Sequence, residues 1–102
     1  MIDVTVACRL TEPELRERRD TVLARAAEGM REARELPDGY SYRFDADDAT
    51  LEFLFHLVSL ERKCCPFLTF RVTVEPDDGP VWLEMRGPEG AKAFVADLFA
   101  PA

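Results

Sequence analysis

The chain contains no apolar run approaching the roughly 20 residues that a membrane-spanning helix requires. Its opening residues, Met1-Ile2-Asp3-Val4-Thr5-Val6, lack the basic front and long apolar stretch of a signal peptide, which predicts a cytoplasmic protein. One histidine is present, with neither a Ser/His/Asp set nor a phosphate-cradling glycine loop, so an enzyme stands behind the other functional classes. No C-x-x-C pair occurs, which excludes thioredoxin-like chemistry and the paired spacing of a tetrahedral zinc site. Unmixed basic clusters are also missing. Arg16-Glu17-Arg18-Arg19 is the densest basic run, and Glu12, Glu14 and Asp20 flank it as on a solvated helix face. With a net charge of −7, the chain by itself is not expected to bind nucleic acid.

What is present suits a small folded domain. The 102 residues are 47% apolar, enough for one core, and predict a single domain over 1–102. Ile2, Val4, Val6, Cys8 and Leu10 alternate with more polar residues, predicting a strand over 2–9 with Cys8 on its buried face. Thr11-Glu12-Pro13-Glu14 reads as a capping box, opening a helix over 12–34 that buries Leu15, Val22, Ala26, Met30 and Ala33. Gly29 weakens that helix, and Leu36-Pro37-Asp38-Gly39 turns the chain. Tyr40, Tyr42 and Phe44 predict a strand over 40–45. Asp45, Asp47 and Asp48 then supply the cap and first-turn acids of a helix over 48–64. This second helix is apolar nearly all round, which makes it central to the core or to an interface.

Strands are predicted over 68–75 and 81–86, joined by Pro76-Asp77-Asp78-Gly79-Pro80 with Gly79 supplying the positive φ. A last helix follows over 89–99. The expected fold is therefore α+β and two-layered: three helices on a four-stranded sheet, in the order β-α-β-α-β-β-α. Trp82 alternates with Val81, Leu83 and Met85, so either Trp82 or that trio faces outward. An exposed Trp82 would mark a pocket wall or a partner surface.

The concentrated chemistry is in Glu61-Arg62-Lys63-Cys64-Cys65-Pro66-Phe67. Adjacent residues on a helix point about 100° apart, but Pro66 disfavours helical geometry at Cys65, so the two sulfurs can converge. Thiolates select soft ions, and a convergent pair would take Hg²⁺, Cu⁺ or As(III). Glu61 precedes the thiols by three and four residues and shares their face. It also falls on the apolar line of the helix, where Arg71, Arg86, a backbone amide or a thiol could satisfy it. Cys8 is a candidate third sulfur. His56 falls on the most polar side, near Glu52, Ser59 and Lys63, and reads as solvated. Three cysteines make an odd count that does not favour a disulfide framework, leaving free thiols, soft-metal ligands or a transient redox pair. Equally, free cysteine often only fills space in a core.

The stretch from Leu57 to Phe99 resembles a family of small bacterial proteins of uncharacterised activity. The resemblance lies in Glu61-Arg62-Lys63-Cys64-Cys65-Pro66-Phe67, then Phe70-Arg71-Val72-Thr73-Val74, then Gly87-Pro88-Glu89-Gly90. A similar segment lies behind the DNA-binding part of some MerR-type heavy-metal regulators. No helix-turn-helix module is present here, so the regulators' DNA-binding role does not transfer. The resemblance implies a thiol-based or effector-sensing role and supplies no catalytic residue. Two expectations result: a small binding or sensor domain using Cys64, Cys65, Glu61 and Cys8, or a structural interaction module forming a homodimer with cysteines that only pack.

Overall fold

The computed structural model describes residues 13–99, which form α1 (Pro13–Gly29), β1 (Glu32–Leu36), β2 (Gly39–Phe44), α2 (Asp48–Cys64), β3 (Thr69–Val74), β4 (Val81–Arg86) and α3 (Ala91–Leu98). The strands make one antiparallel sheet in the order β1-β2-β4-β3. Among the described residues the expected α+β class holds, with three helices and a four-stranded sheet, but their order is α-β-β-α-β-β-α rather than the expected β-α-β-α-β-β-α. The strand expected over 2–9 and the Thr11 cap lie outside the described residues.

One strand departs from expectation. The helix predicted to reach residue 34 stops at Gly29, and Glu32–Leu36 forms the strand β1. Arg31, Glu32, Arg34 and Glu35 mimic a charged helix face. Instead, the Arg31 N–H donates to the Arg43 carbonyl at 2.8 Å and starts a hairpin closed by Pro37-Asp38. Among the described residues β1 pairs only with β2, and an edge strand of this kind tolerates charged side chains. Glu32 is held by Arg34 at 2.7 Å and across the ladder by Arg43 at 3.3 Å. Consequently Ala33 is exposed on β1, and Met30 packs against the core from beyond the helix end.

Period-two alternation places Tyr42 and Phe44 with Val81, Leu83 and Met85 on the inner face, all buried. Val22, Leu23 and Ala26 of α1, Leu54, Leu57 and Leu60 of α2, and Ala91 and Val95 of α3 join that core, as do Cys64, Cys65, Phe67 and Leu68 at and beyond the end of α2. The trio around Trp82 therefore faces inward, and Trp82 lies half-buried on the open face with the Arg34 guanidinium 4.3 Å from its ring centre.

Two turns show where backbone, not side chain, decides. In the β3–β4 hairpin the positive φ angles belong to Asp77 and Asp78, at 57° and 55°, rather than to Gly79. Gly79 is needed for space: a Cβ there would sit 2.8 Å from the Glu75 Cβ and 2.9 Å from the Pro76 carbonyl oxygen. Gly39, opposite Arg86, packs its α-carbon directly against the backbone of β4.

Asp47 caps α2 as expected, its carboxylate accepting from the Thr50 N–H at 2.7 Å, with Asp48 in the first turn. Asp47→Ala is expected to cost about 1 kcal/mol, the usual worth of such a cap. Urea denaturation checks this, and an unchanged midpoint would show the cap to be idle.

Candidate functional site

At the far end of α2, the Cys65 N–H still donates to the Glu61 carbonyl at 2.6 Å, but Cys65 itself has left helical geometry with φ −123° and ψ 68°. Pro66 accounts for the break, because its ring disfavours the helical region in the preceding residue. The result is convergence. One ligand atom each from Glu61, Cys64 and Cys65 lies within 4.8 Å of the others, and all three residues are buried.

The partner of Glu61 comes from α1. The Arg19 guanidinium donates through Nε to Oε1 at 2.8 Å and through the terminal nitrogen to Oε2 at 3.4 Å. The Cys65 thiol donates to Oε2 at 3.5 Å. Of the partners foreseen, the thiol serves; Arg71 lies instead beside Glu84, and Arg86 pairs with Asp38. The sequence places Arg19 in a basic run that reads as solvated, and Arg16 and Arg18 are indeed exposed. The signal that sets Arg19 apart is periodic: it precedes Val22, Leu23 and Ala26 at helical spacing, on the stripe that α1 buries.

Burial pushes the Glu61 carboxyl upward, outweighing Arg19, which pulls it down. Burial, and then the neighbouring carboxylate, push the Cys65 thiol up to about 12, so it is a neutral donor at pH 7. The cysteines are not chemically equal. Cys64 is disulfide-bonded and Cys65 is the free thiol, so the odd cysteine count does not exclude a disulfide here. A disulfide sulfur is a poor ligand, so Cys64 must be reduced before it can hold an ion. Cys8, the third candidate sulfur, lies outside the described residues. His56 is exposed, as expected, and Trp82 is on the opposite side of the sheet from the core.

A cleft of about 280 Å³ between α1 and α3, lined by Arg19, Asp20, Leu23, Phe94, Asp97 and Leu98, brings solvent to the Arg19 side of the cluster. Reduced, the cluster would offer two sulfurs and a carboxylate under an arginine. The sulfurs suit a soft ion, and the carboxylate would supply charge balance. Comparison with family models, curated proteins and solved structures gives no match for this chain. No helix among the described residues is long and apolar enough to cross a membrane.

Proposed function

We propose that this chain is a small binding or sensor domain whose reduced Cys64-Cys65 pair, supported by Glu61, captures a soft metal ion such as Hg²⁺, Cu⁺ or As(III). Cys8 is the further sulfur in this reading. The observation that carries it is the convergence of both sulfurs and the carboxylate within 4.8 Å at a helix end broken by Pro66. Loading has two requirements. Cys64 must be reduced, and each thiol must lose its proton to the solvent as the ion binds. The resemblance of the Glu61–Phe67 segment to heavy-metal regulators points the same way.

A second reading, in which the cysteines only pack and the domain serves protein contacts, is favoured by a specific observation. Cys64 and Cys65 are both 0% exposed, and the Cys65 thiol is strongly disfavoured as a thiolate. Calorimetric titration separates the two. Protein reduced with a phosphine and freed of it is expected to bind one Hg²⁺ or Cu⁺, and Cys64→Ser or Cys65→Ser to abolish that binding with the helical circular dichroism unchanged. The hydroxyl is nearly the size of the thiol but a poor soft-ion ligand. If packing is the whole role, reduced wild-type protein binds no ion, and each serine costs about 1–3 kcal/mol relative to that reduced protein, as a buried hydroxyl lacking a partner. Equal affinity in both variants would remove the metal reading.

A further inference from the structure

We propose that the open edge of β3 is the surface through which two copies of this chain join into one continuous sheet, independently of any metal at the cysteines. β3 ends the sheet, and among the described residues no strand pairs with its outer side. Native edges are usually blunted by lysine, proline, a bulge or an inward charge. Thr69–Val74 carries no lysine or proline, runs in unbroken register with β4, and points Phe70, Val72 and Val74 toward the inner face.

The apolar surface beside it continues onto α2. Val74 and Phe55 are the large hydrophobic residues left most exposed, at 56% and 59%. Leu51 and Val74 line one shallow crevice, so the Leu51 side of α2 faces β3. Phe55 lies one turn further along that same side. Helix and edge therefore present a joint apolar strip that nothing among the described residues covers.

A second copy fits because the strand is complementary to itself in one register. The Glu75 N–H donates to the Pro80 carbonyl, so odd-numbered residues of β3 bond inward and Phe70, Val72 and Val74 direct their N–H and C=O groups outward. A two-fold axis through Thr73, perpendicular to the sheet, sets Val72 opposite Val74 of the second copy, and Val74 opposite its Val72. These pairs exchange main-chain hydrogen bonds and pack their side chains together on the inner face. On the outer face the same register sets Arg71 opposite Glu75 of the second copy, twice over by symmetry. Arg71 can turn outward at little cost: its side chain is 72% exposed and its ion pair with Glu84 is long, at 3.9 Å. A register centred two residues earlier, by contrast, would set Arg71 against its own symmetry copy and bring like charges face to face.

Sedimentation equilibrium on the full chain, with a series of charge variants, tests this. Wild type is expected to be a dimer at high micromolar concentration. Arg71→Glu sets carboxylate against carboxylate twice and is expected to raise the dissociation constant about tenfold or more. Arg71→Glu combined with Glu75→Arg restores the opposite charges and is expected to recover wild-type association, which a folding defect would not do. Val74→Lys, exposed in the monomer and so harmless to its fold, is expected to give a monomer. A wild-type monomer would overturn the proposal, as would a dimer indifferent to Arg71→Glu and Val74→Lys, since such a dimer uses another face.

Discussion

Arg19→Met is expected to destabilise the domain by about 3–5 kcal/mol at neutral pH, since it leaves the buried Glu61 carboxylate without its cation. The methionine keeps most of the bulk, so the loss is electrostatic more than steric. The pH dependence identifies the cause. Burial already holds the folded Glu61 carboxyl above its ordinary value, and removing Arg19 removes the cation that pulls it down. A group whose folded pKa is raised binds more protons in the native state than in the unfolded state. Its favourable contribution is complete below the ordinary carboxyl range and is lost as pH rises through the raised value. The gap between variant and wild type should therefore be wide at pH 7 and narrow as pH falls toward about 4. Urea unfolding at a series of pH values measures it, and a gap independent of pH would point to lost packing instead. Under the metal reading a further result follows: in the reduced variant, Hg²⁺ supplies the missing positive charge and should raise the melting temperature more than it does in wild type.

Gly39→Ala is expected to cost about 3 kcal/mol or more, a fall in melting temperature of roughly 15 °C for a domain of this size. The added methyl would land on the Met85 carbonyl oxygen and within 2.9 Å of the Arg86 α-carbon. Neither can retreat, because β4 is hydrogen-bonded on both sides by β2 and β3. Melting within a few degrees of wild type would show that the sheet yields there.

The elements with strong periodicity are legible in the sequence: β2, β3, β4, α2 and α3 occur close to where alternation, capping acids and prolines put them. The β1 strand is not, because Glu32-Ala33-Arg34-Glu35-Leu36 has a helix-like charge pattern and owes its extended form to hairpin pairing with β2. The same local bias favours a positive φ at Gly79, where two aspartates adopt it instead. At the site, Pro66 foretells the departure of Cys65 from the helix, and the apolar line of α2 foretells a buried Glu61. Arg19 is 42 residues from Glu61 in sequence, and only packing of α1 on α2 brings them together. The disulfide at Cys64 is likewise invisible, since an odd number of cysteines argues only against a framework in which every one is paired.

The strand order carries a consequence for how the molecule comes into being. β4 lies between β2 and β3, so it bonds to a strand from the first half of the chain and to one from the second. During synthesis, β1 and β2 leave the ribosome as a hairpin whose inner aromatic row, Tyr40, Tyr42 and Phe44, has no neighbour on its far side until Val81–Arg86 follows. At ordinary elongation rates that interval is roughly 2–8 s, far longer than hairpins take to form. The nascent chain must therefore hold an unfinished half-sheet through the making of α2 and β3, and β4, the last of the described strands to emerge, is the one that closes it.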